Sequence, residues 1–171
     1  MSELSLERDD IERYVSEVAD ELAGSGVQRV VIIVGGALLA MHGLRAATRD
    51  VDSVKRLDEE LTAAIARVAS RHGLAPRWLN DSALPFLPAT FDEDACETIL
   101  ERPSLRVLGA PLDQVFLMKL NASRAADTDD LRARWPFCSF GSPEVAAEAF
   151  YAAYPLEEYD PFLTRHIEAI V

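Results

Sequence analysis

Val30-Val31-Ile32-Ile33-Val34-Gly35-Gly36-Ala37-Leu38-Leu39-Ala40-Met41-His42-Gly43 is the stretch on which the fold turns. Its five β-branched residues read as a strand buried on both faces. Gly35-Gly36 ends that strand abruptly, and residues 37–42 then read as a helix stopped by Gly43. Upstream, Ile11, Tyr14, Val15, Val18 and Leu22 recur at three- and four-residue steps and predict an amphipathic helix, with Ser5 as its cap and Gly24-Ser25-Gly26 as its stop. Downstream, residues 50–54 read as a short strand. Leu61, Ala64, Ile65, Val68 and His72 define a second amphipathic helix closed by Gly73.

Residues 75–94 are rich in Pro and Asp and read mostly as loop, with Trp78-Leu79-Asn80-Asp81 inside them. Short strands are expected at 98–100 and 105–108, on either side of Pro103-Ser104. From Leu112 onward the pattern is helical, over 112–123, 127–134, 142–153 and 160–170, with Ser142 and Pro143 as a good helix start. The fold class is therefore α+β: a small mixed β-sheet core with helices packed on it over residues 1–110, then a helical C-terminal part over 111–171, together one compact unit. No internal repeat or low-complexity segment interrupts it.

Composition bounds the function. The 171 residues suit one domain, 49% of them are hydrophobic, and 29 Asp+Glu against 17 Lys+Arg leave a net charge of -12. Sequence-independent nucleic-acid binding rests on Lys and Arg neutralising phosphates, for which such a chain is poorly built. Arg45, Arg49, Lys55 and Arg56 are its one dense basic cluster, and a basic partner protein is the natural alternative. No apolar run approaches the roughly 18 residues of a membrane span, and the N-terminus lacks the basic and apolar regions of a signal peptide, so a cytoplasmic protein is expected. Cys96 and Cys138 have no neighbouring base in sequence, and His42, His72 and His166 lack metal-ligand spacing.

The chemistry-bearing residues lie around the opening stretch. Gly35-Gly36 lets backbone N–H groups approach a ligand, and a helix start favours an anion, although a glycine pair is also a common tight turn. Asp50 and Asp52, two residues apart on a strand, point to one face with Val51 toward the core. Two carboxylates so close repel unless a cation lies between them, and Mg²⁺ with substrate phosphates suits the pair. The other reading is an exposed acidic edge with Arg49 as its partner.

With Arg45 and Thr48-Arg49-Asp50-Val51-Asp52 following Gly35-Gly36, the sequence resembles the nucleotidyltransferases of the DNA polymerase β type, in particular the minimal ones that include the AbiEii and MenT toxins. A second block, Phe116-Leu117-Met118-Lys119-Leu120-Asn121-Ala122 and then Arg124 to Leu131, resembles the helix-and-loop of those relatives. Trp78-Leu79-Asn80 resembles a motif of an uncharacterised subfamily. The resemblance runs from about residue 28 to 165. It implies an NTP as substrate, Mg²⁺ in a two-metal site on Asp50 and Asp52, and catalytic roles for Asp50, Asp52, Lys119 and Asp127. It also implies nucleotide contacts by Gly35, Gly36, Arg49 and Asp130. The partners it implies are a nucleoside triphosphate, an RNA, protein or small-molecule acceptor hydroxyl, and, for a toxin, an antitoxin protein.

Two departures stand out: the Arg45-to-Thr48 spacing is longer than the family pattern, and Ala126 replaces an arginine. Arg124 could reach in from the previous turn. Asp81, Asp127 and Asp130 compete for the third carboxylate. Lys119, on an otherwise apolar helix, either snorkels or is held for a charge, and Asp127 also reads as a helix cap. The alternative function is a catalytically impaired member of this fold that binds a nucleotide or a partner.

Overall fold

In the computed structural model, which describes residues 4–122 and 128–171, twelve elements follow one another. They are α1 (Arg8–Glu21), β1 (Arg29–Val34), α2 (Gly35–Met41), β2 (Val51–Ser53), α3 (Glu59–His72), β3 (Leu79–Asn80), β4 (Glu97–Glu101), β5 (Leu105–Gly109), α4 (Leu112–Ala122), α5 (Thr128–Arg134), α6 (Pro143–Ala153) and α7 (Leu163–Ile170). The fold is α+β, with a five-stranded mixed sheet.

The chain forms two compact units, the first Met1–Pro85 with Cys96–Ala110, the second Phe86–Ala95 with Pro111–Val171. The sheet belongs to the first and runs β3-β2-β1-β5-β4. β1 lies at its centre because Val31, Ile32, Ile33 and Val34 are all buried, and each such side chain contributes roughly 1.5–3 kcal/mol when fully removed from water. It pairs parallel with β5, from Arg29↔Leu105 to Ile33↔Gly109, and antiparallel with β2, Val34 opposite Asp52. The buried Ser53 hydroxyl accepts hydrogen bonds from Ile32 N–H (3.2 Å) and Lys55 N–H (3.0 Å), so its burial leaves no orphan. α1 and α3 present Ile11, Val15, Val18, Leu61, Ile65 and Val68 to the core. Gly73 closes α3 in the left-handed conformation, φ +67°, as its sequence position predicts.

The sequence reading needs several local corrections. α1 starts after Glu7, not Ser5, because Leu6 is extended and exchanges both backbone hydrogen bonds with Thr48 (2.6 and 2.9 Å). The cap is Glu7, whose N–H donates to Asp10 (3.1 Å). Residues 75–94 are mostly loop, as read, but within them Leu79–Asn80 adds an edge strand in parallel register with β2, anchored by Trp78, whose indole N–H donates to Ile65 O at 3.2 Å. β2 covers only Val51–Ser53, which leaves Asp50 just outside it.

The second unit is helical. Phe116, Leu120, Leu131, Phe150, Ile167 and Ile170 lie in its core, with the Trp135 and Phe140 rings tilted against Phe116 at 5.5 and 5.7 Å. The segment Phe86–Ala95 is tied to it by Ala89 N–H to Ala153 O (2.8 Å) and by the Tyr154 hydroxyl to Phe86 O (2.7 Å). Ser142 caps α6 as expected. The last helix begins at Leu163 rather than 160, since the Asp160 backbone is held by the Tyr151 hydroxyl (2.8 and 3.2 Å). Among the described residues no helix is long and apolar enough to cross a membrane.

Candidate active site

β1 passes into α2 with no intervening loop. The change of direction falls on Gly35, whose φ of +66° lies in the left-handed region that L side chains avoid. Gly36 is needed for a different reason. A Cβ there would fall 2.9 Å from Arg45 Nη1 and 3.0 Å from Thr48 Oγ1, so the loop after α2 packs directly on this glycine.

That loop leads to the aspartates. Thr48 is buried, its backbone is paired with Leu6, and its hydroxyl donates to Asp50 O at 3.1 Å, which fixes the main chain at Asp50. Val51 is fully buried, and its N–H donates to Trp78 O at 2.6 Å. Asp52 lies opposite Val34 on one side and Asn80 on the other. Its Oδ2 is 3.4 Å from where a Cβ on Gly35 would stand, so Asp52 is beside the glycine turn. Its Oδ1 accepts a hydrogen bond from the Ser82 hydroxyl at 3.3 Å.

The two carboxylates influence each other. Partial desolvation, and then the charge of Asp52, push the Asp50 carboxyl above its ordinary value, against its own backbone N–H, Arg45 and Arg49. Like charges held together in this way favour a cation between them. Among the described residues no group of three or more His, Cys, Asp and Glu side chains is placed to hold a metal ion. The donor set is the Asp50–Asp52 pair, whose hard oxygens fit Mg²⁺, an ion that takes one or two carboxylates and completes its shell with phosphates and water.

Lys119 and Asp130 lie in the second unit, on α4 and α5. Their charged atoms are 3.5 Å apart, with about a fifth of each side chain exposed. The Lys119 ammonium is therefore held by a carboxylate rather than extended into solvent. Arg124, Ala126 and Asp127 lie outside the described residues. Asp81, weighed above as a third carboxylate, accepts from Leu57 N–H (3.2 Å) and pairs with Arg77 (3.5 Å). Burial, followed by Asp113, pushes the Cys138 thiol up to about 12, which keeps it protonated. Ser82 escaped the sequence reading, although Asn80-x-Ser82 carries the spacing of an Asx turn.

A family profile described as nucleotidyltransferase of unknown function (DUF6036) matches residues 12–137. No curated protein and no solved structure matches the chain.

Proposed function

The chain belongs to this family of nucleotidyltransferases of unknown function, and from that premise we propose a Mg²⁺-dependent enzyme that moves NMP from an NTP to an acceptor hydroxyl. The observation that carries the proposal is the placement of Asp52 Oδ2 beside the Gly35 turn, with the Asp50 carboxyl raised by burial and then by the charge of Asp52. In this reading the triphosphate lies over Gly35-Gly36, where bare backbone lets it come close, and Arg49 supplies a counter-charge. Lys119, to which the resemblance of its helix gives a phosphate contact, pairs within the second unit with Asp130 at 3.5 Å. Asp50 and Asp52 would hold Mg²⁺, which when bound would neutralise charge on the reacting phosphates. The acceptor hydroxyl oxygen bonds to the α-phosphorus and gives up its proton to water, the bond to the β-phosphate bridge breaks, and pyrophosphate leaves. Positioning and electrostatics supply most of the rate, as in phosphoryl transfer generally. A toxin of a toxin–antitoxin pair is one setting for this activity. A second reading, a nucleotide- or partner-binding module on the same fold, is favoured by Ala126 and by the lack of a third clustered carboxylate among the described residues.

The test is a melting series with ATP, GTP, CTP and UTP, with and without Mg²⁺, on wild type and on Asp50→Ala/Asp52→Ala. A cognate nucleotide at a hundredfold excess over its Kd should raise Tm by roughly 5–10 °C. The shift should require Mg²⁺ and vanish in the double variant. In metal-free buffer that variant should melt no lower than wild type, because it loses a repulsion. Absence of any nucleotide shift rejects the enzyme. Binding without transfer of label from α-labelled NTP selects the second reading.

A further inference from the structure

The Trp78-Leu79-Asn80 motif has no part in the reaction above, although it adjoins the aspartates. Trp78 and Leu79 are explained by packing, each 1% exposed. Asn80 is not: it is polar, 7% exposed, and directly beside Asp52 in the β2–β3 register. Its Oδ1 accepts the Ser82 N–H at 2.9 Å, which closes an Asx turn. The turn brings the Ser82 hydroxyl against that same Oδ1 and within 3.3 Å of Asp52 Oδ1. A hydroxyl has one proton to give. Asn80 Oδ1, with two lone pairs, and Asp52 Oδ1 are both within its reach, and the charged carboxylate is the stronger acceptor of the two. Asp52 is then tied at Oδ1, with Oδ2 directed to the glycine turn.

We infer that Ser82, set in place by the Asn80 turn, is a positioning residue that aims Asp52 Oδ2 at the ion and triphosphate beside Gly35. The inference rests on the reading of Asp50 and Asp52 as the cation site. It gives the motif a function: Trp78 and Leu79 anchor the edge strand, Asn80 folds the turn, and Ser82 delivers the hydrogen bond. Outer partners of this kind typically change metal affinity by 10–100-fold.

The probe is Mn²⁺ alone, titrated into the full chain without nucleotide and followed by the electron-spin resonance of the free ion. Ser82→Ala removes an exposed hydroxyl and should leave the metal-free Tm within about 1–2 °C of wild type. Its Mn²⁺ affinity should fall about tenfold, and Ser82→Thr, which keeps the hydroxyl, should recover most of the loss. Equal affinity in wild type and Ser82→Ala overturns this inference and leaves the cation site standing. A wild type that binds no Mn²⁺ overturns the cation site and the inference with it. An equal loss in Ser82→Ala and Ser82→Thr also overturns it, since the hydroxyl would then not be the cause.

Discussion

Gly35 has its φ at +66° where β1 becomes α2, and the adjacent strand puts Asp52 at the same point. Position and chemistry are therefore coupled through a single residue. A Cβ at Gly35 meets Asp52 Oδ2 at 3.4 Å, an ordinary contact, so the cost of alanine there is conformational rather than steric. A left-handed L-residue costs about 1–2 kcal/mol. Gly35→Ala should therefore lower Tm by roughly 2–8 °C at this chain length, as read by circular dichroism. It should also weaken Mg²⁺-dependent nucleotide binding by more than the stability loss alone explains, because the added Cβ would stand against Asp52 Oδ2. An unchanged Tm would show that the chain reaches α2 by another conformation.

Between elements, α1 and α3 are joined at their polar rim. Glu17 meets His72 at 2.7 Å and Arg71 at 2.8 Å, and Glu21 meets Arg67 at 2.5 Å and also Arg71. The Tyr14 ring covers His72 at 4.7 Å. The hydrogen bond from His72, followed by its charge and by Arg71, holds the Glu17 carboxyl below its ordinary value of 4.5. A carboxyl depressed on folding adds stability that is fully present above its unfolded value and is lost as pH falls through the folded one. The Tm advantage of wild type over Glu17→Gln should accordingly be complete at about pH 5.5 and close as pH drops below about 4.5. An advantage that persists at pH 3 would show that the glutamate acts by packing.

Elements of this kind were legible wherever period and stop signals agreed. α3 with its terminal Gly73, and α6 with Ser142-Pro143, read directly from the sequence. β3 did not, because two residues carry no periodicity and its strand character comes from pairing with Val51 and Asp52. The start of α1 was misplaced for a related reason. Ser5 is a good local cap, but Leu6 is drawn into a bridge with Thr48, far away in sequence. At the candidate site, the glycines and aspartates announced themselves by residue type and spacing. The support of Asp52 by Ser82 is a tertiary hydrogen bond across thirty positions, which no local pattern encodes.

Over the whole molecule the net charge is -12, and this sets which acceptors can reach the proposed site. A nucleoside triphosphate is itself an anion and meets a repulsive field, which the proposed Mg²⁺ would offset. A long RNA meets the same field at every phosphate, and Arg45, Arg49, Lys55 and Arg56 oppose it only locally. Counterion release should then be slight. A fluorescent RNA of about twenty nucleotides should bind more weakly than about 10⁻⁴ M at 0.2 M KCl, with log K nearly independent of log salt, where each neutralised phosphate would add about -0.7 to the slope for a single strand. A slope of -3 or steeper would show that the basic cluster engages nucleic acid despite the field, and would make RNA the acceptor to test first. A flat line directs the search to protein or small-molecule hydroxyls, for which an acidic surface is no barrier, and to basic partners, for which it is an attraction.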